Sequence, residues 1–212
     1  MRTKKIKKIL FLLGFVGLVG LLSLVFNSPY NGLDRAKASD VTLSTNVQSY
    51  INLSISSGST ITFGNLTPGT PICAGSTVAS VSTNATNGYT IGLNDNAVGT
   101  GSALLHTDLA TRIADYTGTI AVPTLWSGTG LGISCYAADS SKEAAWGAGT
   151  TLCDVNNKYA GVPEAATTAH TVTGYHAGAD ASSWGWEIDA PNSQKIGAYS
   201  GNVTYTATAV LL

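Results

Sequence analysis

Past residue 38 the chain is nearly without basic side chains. Arg112, Lys142, Lys158 and Lys195 stand against eleven acids, so residues 39–212 carry a formal charge of −7 although the whole chain is close to neutral at −1. Four scattered cations cannot neutralise a run of phosphates, which argues against nucleic acid as a partner and disfavours anionic lipid headgroups. Charge of either sign is scarce, at 11% of the chain, so solubility rests on Ser, Thr, Asn and Gly. Nucleophile motifs are missing as well: there is no G-x-S-x-G, and Ser134-Cys135 is not framed by glycines in that manner. Helical periodicity is confined to one exported stretch, 102–114, where Leu105, Leu109 and Ile113 recur every fourth residue. Its threonines make an irregular strand an equal reading. These absences point away from an enzyme, and no catalytic residue is assigned.

The first 38 residues state a destination. A basic leader (Arg2, Lys4, Lys5, Lys7, Lys8) precedes 18 residues, 9–26, whose one polar member is Ser23; Ala36-Lys37-Ala38 before Ser39 then offers a small-x-small cleavage pattern. That order predicts an N-terminal hydrophobic helix and export. Eighteen helical residues span roughly 27 Å, long for a signal core and just enough for a thin bilayer. A signal cut after Ala38 and a retained anchor both fit, and both hold the N-terminus in the cytoplasm. The expected organisation is 1–38 as signal or anchor and 39–212 as one exported domain, secreted or tethered to the outer face of the membrane. Membrane contact is expected only through the N-terminal segment.

Export to an oxidising compartment favours one disulfide among Cys73, Cys135 and Cys153. Cys135 and Cys153 are the nearest pair, closing a loop worth about 3 kcal/mol in chain entropy. All three pairings remain open on the sequence.

The exported part reads as strands. Val41, Leu43, Thr45 and Val47 alternate, then Ile51, Leu53 and Ile55, then Ile61 and Phe63. Pro68-Gly69 suits a type II turn, and Asn87-Gly88 reads as a tight hairpin turn between 76–83 and Tyr89, Ile91, Leu93. Residues 97–165 are irregular, with strand signals at Ile120, Val122, Leu125 and at Leu131, Ile133, Cys135. Alternation returns at Trp184, Trp186, Ile188 and at Val203, Tyr205, Ala207. Many short strands with Gly, Asn and Pro turns predict an all-β immunoglobulin-like or Greek-key β-sandwich with long surface loops.

Two stretches carry a family resemblance: 63–69 (FGNLTPG) with 82–89 (STNATNGY), and the terminal 197–208 (GAYSGNVTYTAT). Together they resemble the small exported bacterial β-sandwich surface proteins of the WxL, spore-coat-U and fimbrial-subunit kind. The terminal strand has Tyr205 where a W-x-L would stand. The resemblance implies a fold and a cell-envelope setting, with no reaction and no cofactor.

His170, His176 and Asp180 are the residues nearest to a zinc set, but their spacing matches no helical zinc motif, and solvated histidines are expected. Asp95-Asn96 and Asp154 to Asn157 are oxygen-rich, and calcium is the one cofactor they leave open; neither has the glycine and glutamate of an EF-hand. Cys-His catalysis would need a reduced cysteine beside His106, His170 or His176. Glu187 and Asp189 share a strand face and are expected in solvent. Trp184 and Trp186 are expected in the core, whereas Trp126 and Trp146 sit in small, polar surroundings and are candidates for stacking on sugar rings. Asn52, Asn65, Asn84 and Asn202 match glycosylation sequons, as chance alone provides in so Thr-rich a chain. The expected function is a structural, adhesive or appendage-subunit role acting on other surface proteins or copies of itself. A carbohydrate-binding module using Trp126 or Trp146 is the alternative, and a secreted hydrolase a third.

Overall fold

A computed structural model describes residues 42–95 and 104–211. The chain divides into two compact units, Met1–Asn46 and Val47–Leu212. Of the first, only 42–46 are described. The signal or anchor segment, with Ala36, Ala38 and Ser39, lies outside the described residues.

The second unit is all-β. Its strands are β1 (Ile51–Ser57), β2 (Ile72–Thr83), β3 (Tyr89–Asp95), β4 (Leu104–His106), β5 (Arg112–Ile113), β6 (Thr124–Leu125), β7 (Gly130–Ala138), β8 (Lys158–Tyr159), β9 (Thr167–Val172), β10 (Asp180–Asp189), β11 (Tyr199–Ser200) and β12 (Val203–Ala209). The described residues hold no α-helix; a single 3-10 turn spans Ala144–Trp146. Four antiparallel sheets result: β1-β2-β10-β7, β12-β3-β9, β11-β4-β5 and β6-β8.

The first two sheets share one core. Period-two patterning sends alternate side chains to opposite faces of a strand. On β3, Tyr89, Ile91 and Leu93 are fully buried, and on β10, Trp184, Trp186 and Ile188 are buried with them. Trp184 meets Tyr205 of β12 edge to face, with ring centroids 6.0 Å apart, which joins the two sheets directly. Both tryptophans lie in the core, where the alternation places them.

Three local expectations need correction, and one stretch left open between helix and strand is decided. Residues 42–50 lie in no strand, and Leu43 and Val47 are 89% and 84% exposed. Ile61 and Phe63 also lie outside any strand, in the 58–71 crossing, where they pack half-buried against the core. Asn87-Gly88 is a turn but not a hairpin: β2 pairs with β1 and β10, while β3 pairs with β12 and β9. Gly88, at φ +86°, carries the chain over the core from one sheet to the other, so Val81 and Tyr89 face the same interior. Finally, the ambiguous 102–114 stretch contains β4 and β5, a short hairpin; residues 102 and 103 are outside the described part. Asp108 closes it by accepting hydrogen bonds from the Ala110 and Thr111 amides at 3.0 and 2.9 Å, an arrangement that competes with helix. The Pro68-Gly69 turn is present, with Gly69 at φ +79° and the Thr70 amide on the Thr67 carbonyl.

Candidate functional site: an apolar cleft and a strapped edge

A half-open cleft of about 310 Å³ lies over the inner face of the first sheet, beneath the 58–63 crossing and the start of β12. Ile55, Phe63, Leu131, Trp186, Val203 and Tyr205 supply its walls. They come from β1, the 58–71 crossing, β7, β10 and β12, so the cleft exists only in the assembled fold. Its polar floor is self-satisfied: the Trp186 indole N–H donates to Thr77 Oγ1 at 3.1 Å, and that hydroxyl donates to the Gly58 carbonyl at 3.0 Å. The described lining holds no carboxylate, imidazole, amine or thiol. Burial keeps the Tyr205 phenol above its ordinary range, so it stays protonated. Such a surface can take up apolar matter and has no group able to move a proton near neutral pH. A wider cleft of about 830 Å³ adjoins it, sharing Ile61, Phe63 and Leu104.

The opposite side of the core is closed by residues 139–153, which leave β7 and cross over to β9. Trp146 is 1% exposed, meets Trp184 edge to face at 5.7 Å, and donates its indole N–H to the Ala169 carbonyl at 2.9 Å. It therefore belongs to the core and offers no face to a sugar. Small neighbours in sequence gave it an exposed look; they are the turn that lets the indole enter. Trp126 is half-buried, stacked on Tyr116 at 4.5 Å and edge-on to Tyr159 at 5.4 Å, so its ring is already used by protein.

The cysteine pairing differs from the nearest-neighbour expectation. Cys73 is bonded to Cys153, and Cys135 is free and fully buried. The face of the sheet decides this. Cys135 sits opposite Trp184 on the inner face, whereas Cys73 sits opposite Glu187 on the outer face. Leu152 reaches that outer face, lying where a Cβ on Gly185 would come within 2.7 Å of it. The sheet itself thus separates Cys135 from Cys153. Burial pushes the Cys135 thiol up to about 12, with the Glu143 charge adding to the shift, so it is no thiolate nucleophile.

The remaining candidates have structural partners. His170 is fully buried, not solvated, and its Nδ1 lies 2.8 Å from Glu143 Oε2. His106 is buried against Tyr199, with Nε2 3.1 Å from the Ile196 carbonyl. His176 Nδ1 lies 3.6 Å from Asp180 Oδ2, but His170 is engaged elsewhere, and the described residues contain no three-ligand metal cluster. Asp154 accepts from the Asn156 amide at 2.9 Å, and Asn157 donates to the Thr151 carbonyl, so this loop is tied to its own backbone. Asp95 is buried; Asn96 lies outside the described residues. Glu187 is half-buried and Asp189 buried, in place of the open solvent expected for both. Tyr159 covers Glu187, whose carboxyl is raised by burial, and Asp189 accepts from the Gly69 and Ala190 amides at 2.9 and 2.7 Å. A second layer of chain over the outer face accounts for both.

The Glu143–His170 pair escaped the sequence reading, since nothing in residues 27 positions apart signals that they meet. No protein-family model and no curated protein matches the chain.

Proposed function

We propose that this is a non-enzymatic, exported surface protein whose second unit is an immunoglobulin-like or Greek-key β-sandwich acting through self-assembly or adhesion at the cell envelope. The observation that carries this reading is the half-open apolar cleft, which has recognition surface and no chemistry in its described lining. Two further features support it. Residues 42–47 present Leu43 and Val47 to solvent, outside any sheet, as an alternating segment free to add to another copy. The Cys73–Cys153 bond fits an oxidising compartment, in keeping with the leader. The resemblance to WxL, spore-coat-U and fimbrial-subunit proteins points the same way. The partners are then other copies or other surface proteins.

Light scattering on the purified protein tests this. The expected result is concentration-dependent oligomers that disappear when residues 42–47 are removed. A protein that stays monomeric at every concentration, or whose assembly survives the deletion unchanged, would defeat the proposal.

A further inference from the structure

We propose that residues 139–153 are an acid-released strap guarding the edge of β9. This strand is the last in its sheet among the described residues. An unpaired edge exposes backbone donors and acceptors and invites strand addition. The strap occupies two of them. Glu143 accepts a hydrogen bond from the Thr171 amide, and the Trp146 indole donates to the Ala169 carbonyl. Both groups flank His170, whose side chain is fully buried.

One carboxylate–imidazole contact fastens the strap to this edge. Glu143 Oε2 faces His170 Nδ1 at 2.8 Å, with the histidine wholly out of solvent and its Nε2 without a partner. The other titratable groups near the pair are Cys135, a buried thiol on β7, and Lys142, whose ammonium is held by the Gly149 carbonyl on the strap itself. Neither can replace the carboxylate. Burial alone would raise the Glu143 carboxyl, but the contact with His170 together with the backbone hydrogen bonds from Thr171 and from its own residue holds it below the usual range. The contribution of a depressed carboxylate is present above its unfolded pKa and is lost as pH falls through the folded one. Protonation removes the negative charge with which this carboxylate accepts from the Thr171 amide and faces His170 Nδ1, and charge-assisted hydrogen bonds are the strong ones. The strap leaves, and Trp146 leaves with it.

Release is reversible because both ends stay attached. Cys153 remains bonded to Cys73, and the near end is paired through the Asp139 amide to the Ala181 carbonyl at 2.8 Å. Reclosure is therefore intramolecular. Asp139 also accepts from the Ala181 amide at 3.0 Å, and Asp180 accepts from the Ser140 amide at 3.2 Å, which adds to the hold on this near end.

Hydrogen exchange on the intact, disulfide-bonded protein from pH 7 to pH 3, corrected for intrinsic rates, reads the strap directly. Peptides covering 141–149 should lose at least about tenfold in protection below the usual carboxylate range while β2 and β10 keep theirs. Strap and sheet losing protection together, or the strap keeping it throughout, would overturn the proposal. Glu143→Gln should leave the strap loosely protected at every pH; a variant with the wild-type pH dependence would also overturn it. If that variant does not fold, the wild-type series still decides.

Discussion

The two sides of the core are built on opposite terms. At the β7 and β9 side, residues 139–153 seal the sheets with a buried indole, a carboxylate–imidazole contact and, at the far end, a disulfide. At the β1 and β12 side, Ile55, Phe63, Val203 and Tyr205 surround a volume of about 310 Å³ that no side chain fills. Protein interiors are ordinarily packed as densely as organic crystals, and unfilled apolar volume forfeits dispersion contacts. A chain that closes one side with three kinds of fastening and leaves the other open concentrates its packing on the first side, and the proposed recognition surface falls on the second.

Substitutions on the sealed side should therefore cost most. Trp146→Ala removes a fully buried indole, its contact with Trp184 and its bond to Ala169, and should lower unfolding free energy by about 3–5 kcal/mol in urea titration. A loss below 1 kcal/mol would mean the strap contributes little and the comparison fails. Cys73→Ser should come next, at about 2–4 kcal/mol, since the bond spans a separation of 80 residues and restricts the unfolded chain. Cys135→Ser should not abolish the disulfide, because Cys135 is no part of it; mass mapping of the non-reduced variant would find Cys73 and Cys153 still joined.

How far these features were legible depends on the physics behind each. Alternation in Tyr89, Ile91, Leu93 and in Trp184, Trp186, Ile188 reports which face of a strand is apolar, and those residues are buried accordingly. The same alternation is silent on whether the other face is covered. Glu187 and Asp189 read as solvent-facing but are half-buried and buried, because Tyr159 and the Gly69 turn lie over them. Nor does a turn say which strand follows beside it: Asn87-Gly88 has hairpin chemistry but links two sheets. The disulfide and the Glu143–His170 pair depend on which chain segment crosses which face, a long-range property that spacing along the sequence does not carry. The cleft draws its six wall residues from five separate stretches and has no local signature at all.

The smallest change in stability should come from the open side and say most about function. Val203 lines the cleft at the start of β12, half-buried and opposite Asp95. Val203→Phe adds a ring where the structure has space, so unfolding free energy should move by no more than about 1 kcal/mol, in contrast to the overpacking cost of a filled core. If the cleft receives a segment of another copy, the same ring occupies its place, and oligomers should fall apart while the monomer stays folded. The two measurements separate the possibilities. A destabilisation of several kcal/mol would show that the volume is not open to a side chain. Unchanged stability with unchanged oligomers would show that it is open but unused, which would keep the structural contrast between the two sides and remove its functional meaning.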